Sequence, residues 1–179
     1  MAREFVIIAD RTSPVATWLR ALAAEAHGEC GGPGVGAIGL CFTGGFALAM
    51  AVEPAVLAPV VSQPGLPAPI TSRRRAAVGL DDADLARVKR RAQDGMGVLG
   101  LRFTADKGCP GALFRHCAVS SASASRASRS TPRPATRTAS PARAHAVLTV
   151  DLADEPGHPR RAALDRVMTF IAERLLAGD

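Results

Sequence analysis

A short stretch in the first third of the chain places a cysteine at a sharp bend between a strand and a helix. Residues Val35–Ile38 are apolar and partly β-branched, which is typical of a buried strand, and Phe46–Val52 is rich in good helix formers. Between them, Gly39–Gly45 reads Gly-Leu-Cys-Phe-Thr-Gly-Gly. A strand, a glycine-flanked turn and a helix in this order predict a nucleophile elbow with Cys41 at its tip. One alternative stays open, in which Cys41 is a small buried core residue, as most free cysteines are.

Strands and helices alternate along the rest of the chain. Apolar runs at residues 55–61 and 97–103 predict two further buried strands, and the second run is followed closely by Asp106. Acidic residues open a predicted helix over residues 81–91, where the helix dipole favours them. This alternation indicates an α/β fold with a mainly parallel sheet flanked by helices, in a single domain over residues 1–179.

Helical periodicity is clearest in two other segments. Ser13 and Pro14 suit the N-cap and first residue of a helix that ends near Cys30, and Trp18 falls at a spacing typical of core positions. A second amphipathic helix is predicted over residues 159–177. Its predicted apolar face consists of Ala163, Leu164, Val167, Met168, Ile171 and Leu175.

The composition indicates a globular protein of a reducing compartment. The 179 residues are 47% hydrophobic, which is enough for a sizeable core. The four cysteines form no CxxC pair and no zinc-like spacing with the four histidines, so we expect a cytoplasmic protein without a disulfide framework or a metal. No targeting signal stands out. Residues 30–52 carry no charge, but their seven glycines favour a buried strand and helix over a membrane span.

Residues 118–143 differ in composition from the rest of the chain. They are rich in Ser, Ala and Arg and lack both periodicity and large apolar residues, so we expect disorder there. Residues 115–143 hold six arginines and no acid, and subtracting these six from the 22 Lys and Arg leaves 16, equal to the 16 Asp and Glu. Because the segment lacks interleaved aromatics, it supports no specific nucleic-acid partner; non-specific phosphate contacts stay an alternative function.

Three segments resemble the dienelactone hydrolase family of the α/β-hydrolase superfamily. Gly34–Leu48 resembles the nucleophile region of that family, and Val98–Asp106 resembles its strand and acid turn. His145–Thr149, with the loop Asp154–Gly157, resembles its histidine segment. The three segments follow one another in the order Cys, Asp, His.

The resemblance implies an α/β-hydrolase-like domain that hydrolyses small carboxylic esters or lactones. Cys41 would be the nucleophile, His145 the base, and Asp106 the acid that orients the base. The backbone N–H of Phe42 would bind the oxyanion of the tetrahedral intermediate. His158 is the alternative base. Such chemistry implies a small-molecule substrate, with no cofactor, no metal and no membrane partner.

Departures from the family pattern define the alternatives. The family usually carries glycine two residues after the nucleophile, where this chain has Thr43. Family members are longer at the N-terminus, so the resemblance implies that early strands and a loop supplying one oxyanion amide are absent here. The family also has a strand in place of residues 118–143, which indicates either a local frameshift or a low-complexity insertion. The alternative function is a truncated or frame-disrupted homologue with little activity.

Overall fold

The structure, a computed structural model, describes residues 13–65, 80–103, 106, 109, 128–129 and 145–176. The strands are β1 (Val35–Leu40), β2 (Val56–Ser62), β3 (Leu99–Arg102) and β4 (Ser128–Arg129). The helices are α1 (Pro14–Cys30), α2 (Gly44–Met50), α3 (Asp82–Gln93) and α4 (Pro159–Leu175). A single 3₁₀ turn, Cys41–Thr43, links β1 to α2. This alternation confirms the predicted α/β class.

The four strands form one parallel sheet in the order β1-β2-β3-β4. Parallel neighbours need a crossover, which α2 supplies between β1 and β2 and α3 supplies between β2 and β3. Leu40 pairs with Ser62, and Ser62 pairs with Leu101. The carboxyl ends of the first three strands therefore lie side by side, and residues that follow them meet at one edge of the sheet.

Strand β2 is the centre of the core because it is buried on both faces. Its sequence is apolar almost throughout, as expected of a parallel strand that is covered on both sides. Val61 belongs to a cluster with residues of α1, α2 and α3, whereas the neighbouring Val60 belongs to a cluster with residues of α4. Successive strand residues point to opposite faces, so α4 covers one face of the sheet and the other helices cover the opposite face.

One helix begins at the capping residue that the sequence predicts, and another is capped by the first of the acidic residues that were predicted to open it. The Ser13 hydroxyl accepts a hydrogen bond from the Ala16 N–H at 3.1 Å, at the start of α1. The Asp81 carboxylate accepts one from the Asp84 N–H at 2.8 Å, at the start of α3. Side chains of this kind satisfy backbone donors that have no partner within the helix, which is why these two starts could be predicted locally.

Several large apolar side chains lie outside the core, contrary to prediction; Ile38 of β1 is 51% exposed and Leu22 of α1 is 43% exposed. Trp18 is 62% exposed and Met168 is 61% exposed. Helix α1 instead faces its neighbours through Ala16 and Ala23, and the buried face of α4 includes Phe170. At about 100° per residue, Trp18 is turned by about 140–160° from Ala16 and Ala23, and Met168 is turned by about 160° from Phe170. The remaining predicted positions of α4 are buried or half-buried: Ala163, Leu164, Val167, Ile171 and Leu175.

The uncharged residues 30–52 fold largely as β1, the 3₁₀ turn and α2, as predicted. Within the described ranges, no helix is both long enough and apolar enough to cross a membrane. Most of residues 118–143 lie outside the described part of the chain. Ser128 and Arg129 are the exception, because they form β4 and pair with Leu101 and Arg102, a strand pair that the sequence did not predict.

Arg91 connects α3 to the segment between α2 and β2. Its guanidinium donates hydrogen bonds to the backbone carbonyls of Ala51 (2.6 Å), Glu53 (2.5 Å), Pro54 (3.0 Å) and Val56 (3.1 Å). Burial lowers the pKa of Arg91, and the charge of Glu53 raises it. These carbonyls close the crossover that contains α2, so Arg91 fixes the helix that follows the 3₁₀ turn.

Arg91→Met is expected to lower the free energy of unfolding by about 2–3 kcal/mol, because the carbonyls lose a charged donor. Arg91→Lys is expected to lose less, since the ammonium can still donate to some of them. Arg90→Met changes an exposed arginine of the same helix, and we expect an effect within about 0.5 kcal/mol. Urea denaturation followed by circular dichroism measures all three; equal losses for Arg90→Met and Arg91→Met would contradict the assigned role.

Candidate active site

Cys41 lies at the tip of a bend between β1 and α2, as predicted. The residue is exposed, and its φ of +50° lies in the left-handed region that non-glycine residues rarely adopt. It opens the 3₁₀ turn, from which the chain continues directly into α2. An exposed side chain on a strained strand-to-helix turn is the geometry of a nucleophile elbow. Its exposure excludes the alternative of a buried core cysteine.

Two glycines allow the chain to bend this sharply. A Cβ on Gly39 would lie 2.3 Å from the carbonyl oxygen of Thr43 and 2.8 Å from Ala47 Cβ. A Cβ on Gly44 would lie 2.9 Å from Pro64 Cβ. Atoms do not approach this closely, so glycine at these positions lets β1, the turn and the segment after β2 pack against one another.

Thr43 stands where the family pattern usually has glycine, and its side chain closes the bend. Its hydroxyl accepts a hydrogen bond from the Leu40 N–H at 2.9 Å and donates one to the Leu40 carbonyl at 2.8 Å. The backbone of Thr43 has φ −84° and ψ −3°, which any residue can adopt. Thr43 therefore adds two hydrogen bonds that close the turn, and its backbone imposes no strain on it.

Asp106 and His145 are in direct contact, although 39 residues separate them in the sequence. Nδ1 of the imidazole lies 2.6 Å from Oδ2 of the carboxylate. The Asp106 side chain is 4% exposed and the His145 side chain 31% exposed, so the carboxylate lies inside while the imidazole reaches the surface. Hydrogen bonds to an ionised carboxylate are shorter than those between neutral groups, and this one lies at the short end of their range. Two of the three predicted site residues are thus brought together.

The Asp106 carboxylate is held by backbone groups on either side. The Asp106 N–H donates to the carbonyl of Phe103 at 3.2 Å, which ties Asp106 to the residue directly after β3. The Cys109 N–H donates to Asp106 Oδ1 at 3.2 Å, so the two carboxylate oxygens have different partners. These bonds fix the orientation of the carboxylate towards His145.

Cys41 lies at the same edge of the sheet as this pair. Cys41 directly follows β1 and Asp106 follows β3, whose carboxyl ends are in register. Cys109 is affected by the charges of both groups. Burial raises the pKa of the Cys109 thiol to about 12, the Arg102 charge lowers it, and the charges of Asp106 and Cys41 raise it. In the part of the chain described, Cys41 makes no hydrogen bond to His145. The structure thus joins Asp106 to His145 and places Cys41 at the same edge of the sheet.

Phe42, the predicted source of an oxyanion donor, directly follows Cys41 and is half-buried. Its ring meets the ring of Phe46 edge-on, with centroids 5.8 Å apart and an interplanar angle of 81°. Such T-shaped pairs are one of the two preferred arrangements of aromatic rings. Because Phe46 belongs to α2, this contact holds Phe42 against the helix.

Gln63 lies beside the bend and was not singled out by the sequence. It is 1% exposed, and its φ of +35° is left-handed. Gln63 directly follows Ser62, and Cys41 directly follows Leu40. Because Leu40 and Ser62 pair in the sheet, two residues with a left-handed backbone follow the same pair of strand residues. The Ser62 hydroxyl donates to Gln63 Oε1, and the Gly65 N–H donates to the Cys41 carbonyl at 3.1 Å. Position after a predicted strand was the only signal that the sequence offered for it.

The other described histidines have structural roles. His158, the alternative base, is the N-cap of α4, where its Nδ1 accepts a hydrogen bond from the Arg160 N–H at 3.1 Å. His27 Nε2 lies 2.9 Å from the Gly32 carbonyl at the end of α1. Across the described ranges, no group of three His, Cys, Asp or Glu residues is placed to hold a metal ion. His145 is therefore the imidazole that the structure associates with a buried carboxylate.

The backbone of His145 is held by Asp151, which the sequence analysis missed. Asp151 Oδ2 accepts hydrogen bonds from the N–H groups of His145 and Ala146, both at 2.8 Å. These two bonds lower the pKa of Asp151, burial raises it, and the charges of Arg160 and His145 lower it further. No local pattern marks this aspartate, because its partners are backbone groups on the far side of a turn.

Asp151→Asn is expected to remove a pH-dependent part of the stability. The pKa of folded Asp151 lies below its ordinary 3.8, so the ionised group stabilises the fold above about pH 4. That contribution is lost as the pH falls through the lowered pKa. Urea denaturation from about pH 7 to about pH 2 should show a constant difference between wild type and Asp151→Asn above about pH 5, and a shrinking one below about pH 4. A difference that stays constant throughout would contradict this prediction.

Comparison of the chain with protein families, with curated proteins and with solved structures finds no match. The function of the protein is therefore inferred from the geometry around Cys41, Asp106 and His145.

Proposed function

We propose that the protein hydrolyses small carboxylic esters or lactones, with Cys41 as nucleophile, His145 as general base and Asp106 as the residue that orients the base. One observation carries the proposal: the 2.6 Å contact between the imidazole and the buried carboxylate, at the sheet edge where an exposed cysteine lies on a strained bend. The chain order and the resemblance of three segments to the dienelactone hydrolase family support the same reaction class.

The carboxylate determines which nitrogen of His145 transfers protons. Asp106 accepts the N–H of Nδ1, so Nε2 is the nitrogen with the lone pair. Nε2 can take the proton of the Cys41 thiol, and the thiolate that results is the reactive form of cysteine. In this proposal the Cys41–His145 contact forms when substrate binds, since catalytic hydrogen bonds are commonly long in substrate-free sites.

The reaction then has two halves. The Cys41 thiolate attacks the ester carbonyl, and the electron pair displaced onto the oxygen is stabilised by the Phe42 N–H. The tetrahedral intermediate collapses to a thioester on Cys41, while the leaving alkoxide takes the proton from His145. Water gives a proton to His145 as it attacks the thioester, and the collapse of the second intermediate releases the acid and restores the thiol.

Cys41 fits the role of nucleophile better than the other described cysteines. Cys109 is fully buried, and because its pKa is raised to about 12 it stays a thiol at neutral pH. Cys30 is exposed, but it ends α1 and precedes β1, whereas Cys41 follows the opposite end of that strand. Only Cys41 of these three combines exposure with a bend at the edge where Asp106 and His145 meet.

The test is hydrolysis of p-nitrophenyl acetate and dihydrocoumarin by the full chain. We expect Cys41→Ala to lose turnover by about 10³-fold or more, because no other group replaces the thiolate. Cys30→Ala, which removes another exposed cysteine, is expected to keep wild-type turnover. Equal turnover in wild type and Cys41→Ala would contradict the proposal. A folded wild-type chain with no turnover would favour the alternative of an inactive homologue.

A further inference from the structure

Arg160 connects the residues that hold His145 and Asp106. Its guanidinium donates to the backbone carbonyl of Asp151 at 2.8 Å and lies over the ring of Phe103, 5.8 Å from the centroid. Asp151 binds the backbone of His145, and the Phe103 carbonyl accepts the N–H of Asp106. These five residues form a closed circuit of contacts that includes the bond between the imidazole and the carboxylate.

The circuit matters because Asp106 and His145 are held in place in different ways. Asp106 follows β3 closely, whereas His145 lies in neither a helix nor a strand. The Asp151 carboxylate supplies the hydrogen bonds that fix the His145 backbone, and the Asp151 N–H donates back to the Ala146 carbonyl at 3.1 Å. An imidazole on irregular backbone needs such second contacts to keep a productive geometry.

The planar guanidinium of Arg160 suits the second half of the circuit. The guanidinium lies over the Phe103 ring while one of its N–H groups donates to the Asp151 carbonyl, a combination that a compact ammonium group can match only in part. Arg160 belongs to the first turn of α4, so it also ties the turn that contains Asp151 to the helix covering this face of the sheet.

We infer that Asp151 and Arg160 are positioning residues of the hydrolytic site. Asp151 fixes the backbone of His145, and Arg160 holds Asp151 against the end of β3, next to Asp106. The inference rests on the proposed function. Both residues act through His145 and take no part in bond making or breaking.

The kinetic test separates positioning from substrate binding. Asp151→Ala and Arg160→Met are expected to lower kcat for p-nitrophenyl acetate by about 10–100-fold with KM within about twofold, because a small misplacement of the base slows proton transfer. Asp151→Asn and Arg160→Lys should recover part of this loss. Asp154→Ala and Arg161→Met are matched controls, because these two residues form an exposed ion pair on the same loop and helix. Both controls should stay within about twofold of wild type.

A second measurement does not depend on turnover. The proton between His145 Nδ1 and Asp106 should give a downfield proton NMR resonance, identified by its absence in His145→Gln. We expect this resonance to shift or broaden in Asp151→Ala and Arg160→Met and to stay unchanged in the two controls. If wild type hydrolyses no ester, the proposed function fails, and the resonance alone decides whether the two residues position His145.

The inference is overturned if both kcat and the resonance are unchanged in folded Asp151→Ala and Arg160→Met. It is also overturned if the two control variants lose as much kcat as these variants do. If either of these variants does not fold by circular dichroism, Asp151→Asn and Arg160→Lys decide by the same two measurements. A loss of kcat with a shifted resonance in those conservative variants supports the inference, and wild-type values for both overturn it.

Discussion

Asp106→Asn is expected to lower kcat for ester hydrolysis by about 10³–10⁴-fold while the fold is kept. Asparagine has nearly the same shape as aspartate but carries no charge to stabilise the imidazolium of His145. Its amide can donate to Nδ1, which moves the remaining ring proton to Nε2, so the imidazole can no longer accept the thiol proton. The Asp106 side chain is only 4% exposed, so water cannot readily replace the lost carboxylate.

Asp165→Asn is the control for this substitution. Asp165 is an exposed carboxylate that accepts a hydrogen bond from Arg161 at 2.9 Å, and exposed pairs of this kind contribute little. We expect its kcat to stay within about twofold of wild type. Steady-state kinetics with p-nitrophenyl acetate, together with circular dichroism, make the comparison. An Asp106→Asn protein with a kcat within about tenfold of wild type would contradict the role given to Asp106.

Gly39→Ala is expected to abolish turnover and to lower the free energy of unfolding by about 2–4 kcal/mol. The added Cβ would lie 2.3 Å from the carbonyl oxygen of Thr43, 2.8 Å from Ala47 Cβ and 2.9 Å from Gly44 Cα. Two of these three atoms belong to the backbone of the bend itself, so no change of side-chain rotamer relieves the clash. The end of β1 and the start of α2 must then separate, which displaces Cys41.

Gly36→Ala, in the same strand, is the control. Its added Cβ would lie 3.5 Å from Leu175 Cδ1 and 3.6 Å from the Ala58 carbonyl oxygen, which are ordinary contacts. We expect near-wild-type turnover and a change in unfolding free energy within about 1 kcal/mol. Urea denaturation and ester turnover of both variants check the prediction. Gly39→Ala behaving like Gly36→Ala would show that close approach at the bend is not required.

Most helices and strands could be predicted because their signals are local. Ser13 and Asp81 cap helices through residues three positions later, and the glycines around Cys41 mark a turn within seven residues. The strands β2 and β3 could be predicted from the apolar composition of their own residues. A continuous apolar strand of this kind is expected in a parallel sheet with helices on both faces.

The wrong predictions concern which face of a helix is buried and which strands pair, and both depend on residues that are distant in the sequence. Helical spacing defines several possible apolar stripes, but close packing decides which of them faces the sheet. Helix α1 approaches its neighbours through Ala16 and Ala23, and this leaves Trp18 outside. Met168 lies outside for the same reason, because α4 packs through a different stripe. The pairing of Ser128 with Leu101 likewise has no signal in a segment rich in serine and arginine.

Only part of the candidate site could be predicted from the sequence. Cys41 could be placed on a bend from local residues, but its strained backbone was visible only in the structure. Asp106 and His145 were paired by resemblance to a family, since nothing in a separation of 39 residues indicates contact. Asp151 had no sequence signal, and Gln63 had only its position after a predicted strand. The reason is that these residues matter through hydrogen bonds to a turn and through a left-handed backbone.

Intact-mass spectrometry after brief exposure to p-nitrophenyl acetate shows whether Cys41 is the nucleophile. We expect the full chain to gain a single acetyl group, peptide mapping to place it on Cys41, and Cys41→Ala to gain none. Acetylation should be much slower in His145→Gln, because the thiol then lacks its base. Cys30→Ala should be acetylated like wild type. Acetylation of Cys30 or of lysines in a folded chain whose Cys41 stays unmodified would contradict the account.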